Sequence, residues 1–404
     1  MKILYLAHRV PYPPNKGEKL RTYHQIRNLI ENGAEVTLLC PIEKDIEVAY
    51  CEQLQQEHAE CNVYYFKVVP KLCRYLRALL LNSSISEAFF YSNALLQNLR
   101  AIPLKTPFDA VICTASSMAP YVKKSRRTLS GKTKIIMDFM DLDSNKWTQY
   151  AAKSSFWMRM VYVREARKVA ELEKLVAVSF DTAFLVAEPE TRLFLTSQPN
   201  ASCRVLTVGN GIDPSEFHPP LKPPKISPPH LLFAGVMDYA PNVDAVMWFF
   251  EHVWRLVIAR WPESKFTIAG MNPTPAIQAL GENDGIEVTG YVTEILPYFH
   301  RSSLFVAPFR MARGIQNKIL QAMACGLPVV TTSMGADGIA YDDGRNLFIA
   351  DTASSFFQRI EYLTNDPSHY NQVRQEALIT INRNYSWAGQ LKPLRELLGI
   401  DKAV

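Results

Sequence analysis

Two cations bracket the start of a short helix in this sequence. They are Arg313 and Lys318, in the run Ala312-Arg313-Gly314-Ile315-Gln316-Asn317-Lys318-Ile319-Leu320-Gln321-Ala322-Met323-Ala324-Cys325-Gly326-Leu327-Pro328-Val329-Val330. The run reads as a glycine turn, a helix and a buried strand. A helix start presents unpaired backbone N–H groups and a partial positive charge, so with the two cations it suits a diphosphate. The same residues also read as an ordinary loop, helix and strand, in which Gly326 and Pro328 only end the helix and begin the strand. Local chemistry leaves both readings open.

Other chemistry-bearing residues are sparser. Asp138, Asp141 and Asp143 read as a metal cluster, a general base or a turn that caps the next helix. Close carboxylates repel unless a cation or proton is shared, and no histidine or second acidic patch stands near. Capping and hydrogen bonding to an acceptor are therefore favoured over a metal. His8 and His24 read as bases or as structural imidazoles. Gly17 and Gly235 either allow tight turns after strands or let substrate approach backbone N–H groups.

The elements that must position these residues follow from the apolar pattern. Residues 3–7 form a continuous apolar run, a proline-punctuated loop follows to Gly17, and Leu20, Tyr23, Ile26, Leu29 and Ile30 recur at helical spacing until Asn32-Gly33. Residues 35–40 supply the next strand. This is a βαβ unit and commits the sheet to being parallel. Further buried strands are expected at 110–113, 134–137 and 205–208. Residues 219–229 hold six prolines in eleven positions and read as a semi-rigid linker. Beyond it the pattern restarts, with strands at 231–234, 266–269, 286–288, 304–307 and 328–331 and a helix from about 243 to 258. The expected fold is α/β: two doubly wound Rossmann-like domains facing across a cleft. Loops after Ala7, Cys113 and Met137 would see an acceptor, and loops after Ala234, Ala269 and Ala307 a donor.

Composition bounds the function class. A chain of 404 residues exceeds what one core usually covers, and 48% hydrophobic with 21% charged residues fills ordinary cores. A net charge of +5 without a long basic run does not imply nucleic acid. Seven cysteines, with no C-x-x-C pair, read as buried free thiols in a reducing compartment. Eight scattered histidines offer no metal spacing, so no metal is expected. The apolar run at the N-terminus is too short for a signal peptide or a span, so the expected location is cytoplasmic. Residues 67–81 and 156–168 interleave Lys and Arg with Leu, Tyr, Trp and Met. Such stripes lie on an anionic membrane face or pack on their own domain, and peripheral membrane contact remains open.

The run from Ala322 to Val329 resembles the signature of retaining glycosyltransferases of family 4, which have GT-B architecture. That family usually carries two glutamates here. In this chain those positions hold Arg313 and Gln321, and Gln321 lacks the charge that strengthens ribose hydrogen bonds. Gly209-Asn210-Gly211-Ile212-Asp213 with Phe217, the loop from Gly235 to Asn242, Gly290-Tyr291-Val292 and Tyr385-Ser386-Trp387 resemble further family segments. His8-Arg9-Val10-Pro11-Tyr12-Pro13-Pro14 with Lys16-Gly17, Ser116-Ser117-Met118-Ala119 with Tyr121, and the run from Asp138 to Asp143 are similar to one subgroup, the sugar transferases of the exosortase (PEP-CTERM) exopolysaccharide system.

The resemblance implies an acceptor domain at 1–208, a donor domain at 209–384 and a segment 385–404 that crosses back. It implies that Arg313 and Lys318 are catalytic. Gly235, Met237, Asp238, Asn242, Gly290, Tyr291, Gly314, Ile315, Gln316, Asn317 and Gln321 would meet a nucleotide-diphosphate sugar. Gly17, Arg21, Ser116, Ser117, Asp138 and Asp141 would meet a glycan or lipid-linked acceptor. No cofactor is implied, and transfer would retain anomeric configuration. Two alternatives are a non-hydrolysing sugar-nucleotide epimerase and a catalytically weak sugar-nucleotide binder.

Overall fold

The computed structural model describes residues 1–14, 17–105, 107–152, 154–311 and 315–400. The chain forms two compact units, Met1–Asn210 with Gln390–Val404, and Gly211–Gly389. The proline-rich stretch 219–229 lies inside the second unit, beyond the change of unit.

The first unit is built on a seven-stranded sheet: β1 (Lys2–Leu6), β2 (Glu35–Ile42), β3 (Cys61–Lys67), β4 (Ala110–Thr114), β5 (Lys134–Met140), β6 (Thr182–Leu185) and β7 (Arg204–Thr207), in the order β3-β2-β1-β4-β5-β6-β7. Every pairing is parallel. The central strands are buried on both faces and so read as unbroken apolar runs: β4 is buried throughout, and β1 from Ile3 onward. The edge strands β3 and β7 are partly exposed. Strands β3 and β6 were not expected from the sequence, and β2 and β5 each run beyond the expected end.

The C-terminal helix Lys392–Leu398 belongs to this unit. Lys134 Nζ donates to the carbonyl of Leu397 at 2.6 Å, and Arg395 Nη1 donates to Asn28 Oδ1 at 3.1 Å.

The second unit holds a six-stranded parallel sheet: β8 (His230–Ala234), β9 (Lys265–Ala269), β10 (Ile286–Gly290), β11 (Leu304–Ala307), β12 (Val329–Thr331) and β13 (Phe348–Ile349), in the order β10-β9-β8-β11-β12-β13. The expected helix 243–258 is longer and interrupted: Ala240–Phe249, a π-helical turn Phe250–Trp254, then Arg255–Arg260. Pro241 sits in its first turn, where a missing N–H costs nothing. In this sheet strand order reverses between β8 and β11. Loops leaving those two strands therefore part to opposite faces and open a crevice at the carboxyl ends.

Candidate active site

The crevice of the second unit is a cleft of about 960 Å³. Gly235 and Asp238 after β8, Gly270 and Met271 after β9, Tyr291 and Val292 after β10, and Asn317, Lys318 and Gln321 of the helix Asn317–Ala324 line it. That helix forms where the sequence predicts it, and its buried face (Ile319, Leu320, Ala322 and Met323) fixes it on the sheet. Its N-cap residue, Gln316, makes no capping hydrogen bond with its side chain. The Ile319 N–H bonds to the carbonyl of Gln316 at 2.9 Å, and Asn317 and Lys318 bring the positive end of the helix to the cleft.

Lys318 is the electrostatic centre of the cleft. Its Nζ donates to Asn242 Oδ1 at 2.6 Å, and lies 4.9 Å from the ring centre of Phe309 and 5.5 Å from that of Phe233. Burial disfavours the charged amine and lowers its pKa to about 8. Among the described residues Lys318 has no carboxylate partner, so an arriving anion would find a half-buried cation with its charge unanswered. Asn242 is itself held, because its Nδ2 donates to the carbonyl of Val236 at 2.8 Å. It acts as a positioning residue for the amine.

Gly235 has a steric reason to be glycine. A Cβ there would stand 2.7 Å from Asn242 Nδ2 and 3.1 Å from Lys318 Nζ. Gly270 is more constrained: at φ +147° it crosses so close to the carbonyl of Gly235 that a Cβ would lie 1.6 Å from that oxygen. Gly270 was not among the expected site residues, and the signal was present, since a glycine directly follows a buried strand.

The other expected donor residues distribute unevenly. Asp238 is exposed and accepts from Asn272 Nδ2 at 3.1 Å. Met237 lies in the hydrophobic core, with its backbone N–H bonded to the carbonyl of Met271 at 2.8 Å. It steadies the loop rather than facing the cleft. Gly290 takes φ +66° with open space where a Cβ would be, and Tyr291 beside it is exposed. Ile315 packs on the core. Arg313 and Gly314 lie outside the described residues.

In the first unit, Arg21 and Asp138 are completely buried and face each other. Arg21 Nε and Nη2 donate to the two carboxylate oxygens at 2.7 and 3.0 Å. Arg21 Nη1 also donates to the carbonyl of Gly209 at 3.0 Å and to Asn210 Oδ1 at 3.1 Å. Gln25 Nε2 donates to Asp138 at 2.5 Å and in turn accepts from the Tyr5 hydroxyl. This closed network fastens the last residues before the chain leaves the unit.

Ser116 and Ser117 are buried just after Ala115, which adopts φ +66°. Gly17 opens the helix Gly17–Glu31, Asp141 is exposed, and Asp143 opens the helix Asp143–Ala152. Burial pushes the Asp143 carboxyl up to about 6, with Lys146 pulling down and Asp141 pushing up. His8 sits beside this region with Nδ1 3.0 Å from Thr114 Oγ1, and burial followed by the Arg9 charge lowers it to about 3, so it is neutral at ordinary pH. Among the described residues no three His, Cys, Asp or Glu side chains gather as a metal site requires.

Comparison with known proteins places these features. Residues 228–366, within the second unit, match the family model for group 1 glycosyl transferases. A protein of Klebsiella pneumoniae described as an uncharacterized 44.6 kDa protein in the cps region is 24% identical over 95% of this chain and 96% of its own length. Among solved structures, HepE of Anabaena in complex with UDP superposes with a TM-score of 0.66 at 14% identity, covering 99% of this chain and 100% of that one. The same protein with UDP-glucose gives 0.62 at 14% identity and 99% of both chains. Sucrose-phosphate synthase from Thermosynechococcus elongatus gives 0.65 at 13% identity over 98% of both chains. The fold is that of GT-B glycosyltransferases, as the sequence led us to expect.

Proposed function

We propose that this chain moves a sugar from a nucleoside-diphosphate donor to a glycan or lipid-linked acceptor, without a metal ion and with retention of anomeric configuration. Lys318 carries the reading: it is a desolvated ammonium at the switch point of the sheet, held by an amide and two aromatic rings rather than by a carboxylate. Breaking the bond between the anomeric carbon and the diphosphate builds negative charge on the leaving group while the sugar becomes oxocarbenium-like. Lys318 and the first-turn N–H groups of Asn317–Ala324 stand where that charge would develop, and such preorganised donors contribute most in a dry site. Arg313 would join them. Departure and attack on one face of the sugar let the diphosphate assist the acceptor's proton, so no separate protein base is needed.

Uridine as the base is supported by the complexes of HepE with UDP and UDP-glucose. Tyr291, Val292 and Ile295 supply the apolar wall on which a base or sugar ring would rest. A role in exopolysaccharide assembly at the cytoplasmic side of the membrane is supported by the motif likeness and by the cps-region relative.

The deciding experiment is a thermal-shift panel of UDP-, GDP- and ADP-sugars with and without a chelator, followed by transfer assays on the best donor. Stabilisation by a UDP-sugar that survives chelation, with transfer only when acceptor is added, is the expected result. Turnover that stops on removing divalent ions overturns the metal-free mechanism. Interconversion of the UDP-sugar without acceptor identifies an epimerase instead.

A further inference from the structure

The helix Lys71–Leu80 is turned inside out relative to a soluble amphipathic helix. Its arginines face the domain: Arg74 is buried against Glu43 and stacks 4.6 Å above Phe89, and Arg77 stacks 3.5 Å above Tyr91. Three of its leucines face water: Leu72 is 71% exposed, Leu76 51% and Leu80 83%. Leucines at this helical spacing, turned outward, find no core within their own unit.

A second element continues this surface. Every residue from 156 to 161 is exposed at the start of the helix Phe156–Ser179, and five of these six are apolar, Trp157 among them at 76% exposure. The helix is fastened to the first element through Arg164, whose Nη2 donates to the carbonyls of Ala78 at 3.2 Å and Ser83 at 3.1 Å. Glu165 completes the clasp by accepting from the N–H groups of Ile85 at 2.7 Å and Ser86 at 2.8 Å. The two exposed apolar stretches are thus tied to one another within the first unit.

Charge identifies the occupant. The sequence contains no Asp or Glu from 61 to 86 or from 144 to 164, while each stretch holds four Lys or Arg. Arg159 and Arg167 are exposed on the second helix. Lys67 and Arg74 are answered by Asp45 and Glu43 from outside the stretch, while outward Leu and Trp beside the exposed Arg159 and Arg167 match the headgroup boundary of an anionic bilayer. A second copy of the chain fits less well, because a self-complementary contact would set like charges against each other. Among the described residues no helix is long and apolar enough to cross a membrane.

We infer that the face formed by Lys71–Leu80 and the first turns of Phe156–Ser179 is a docking surface for an anionic lipid bilayer, on which the protein lies without spanning it. The inference stands apart from the donor cleft and goes beyond the transfer reaction itself.

The test is flotation of the full chain with vesicles of phosphatidylcholine alone and of phosphatidylcholine mixed with phosphatidylglycerol. Binding to the anionic vesicles, weakened by salt, is the expected result. The double variant Leu80→Asp/Trp157→Asp should partition about tenfold or more weakly. Arg159→Gln/Arg167→Gln should weaken binding to anionic vesicles alone. The thermal shift with UDP is measured on every variant. If it is retained while vesicle binding falls, the lipid surface is separated both from misfolding and from the donor site. Three outcomes overturn the inference: no flotation of the wild type, equal binding to neutral and anionic vesicles, or a dimer by light scattering that the Asp variants dissociate.

Discussion

Arg21 and Lys318 are both cations withdrawn from water, one in each unit, and they meet opposite fates. Arg21 is matched by Asp138, by the carbonyl of Gly209 and by Asn210, so its charge is answered inside the protein. Among the described residues Lys318 meets a neutral amide and two ring faces, with no carboxylate. A buried cation with its own carboxylate holds structure together, and one without is poised for an anion from outside. The contrast separates a structural ion pair from a charge open to a ligand more sharply than residue type does, since the sequence offered Lys318 as a catalytic residue and Arg21 as an acceptor-side one.

The widest gap between the two should appear in stability. Asp138→Ala leaves Arg21 buried and unanswered, and is expected to cost about 3–5 kcal/mol in denaturant unfolding. Lys318→Met removes a half-buried charge that has no carboxylate partner among the described residues, and should leave unfolding unchanged or slightly raise the midpoint. If both variants were equally destabilised, the distinction would collapse.

Turnover should then rank them the other way. Lys318→Ala is expected to lower kcat by roughly 10²-fold or more while leaving thermal stability intact. An unchanged rate would remove Lys318 from charge stabilisation.

Crowding offers a finer cut. Gly235→Ala sets a methyl against Asn242 and Lys318, and should weaken UDP binding about tenfold by displacing the amine. Retained affinity in a calorimetric titration would show that the amine tolerates the shift.

The pH dependence follows from the lowered pKa of Lys318, which desolvation brings to about 8. Below that value the amine is charged in the folded protein and attracts a diphosphate. Above it the free protein must take up a proton to bind. UDP affinity should therefore be level below about 8 and fall by up to tenfold per pH unit above it. A flat profile would contradict the assignment. The smallest effect is expected from Gln321→Glu, which restores a charged acceptor at the ribose position and should tighten donor binding by only a few fold.

What the sequence disclosed follows burial. Strands β1, β4, β8 and β11 were legible because burial on both faces leaves unbroken apolar runs. Strand β3 escaped notice because it lies at a sheet edge, where CNVYYFK mixes exposed polar and aromatic residues. The helix carrying Lys318 was legible from its glycine turn and apolar face. The rings of Phe233 and Phe309 around the amine were not, because they come from two other elements. Nor could the sequence reveal that Arg21 answers Asp138, 117 residues away. Basic amphipathic stripes announced themselves by composition, but only the fold shows that Lys71–Leu80 turns its arginines inward and Leu72, Leu76 and Leu80 outward.

The second unit starts and finishes at one spot. Ile212 pairs with Ser386, the N–H of Ile212 bonds to the carbonyl of Tyr385 at 2.6 Å, and Gly211 lies against Trp387, after which the chain rejoins the first unit at Gln390. Topologically it is a cassette inserted into its host, with neighbouring ends and a core of its own. Residues 211–389 are therefore expected to fold when expressed alone with their ends joined by a short peptide, because the excision cuts neither sheet.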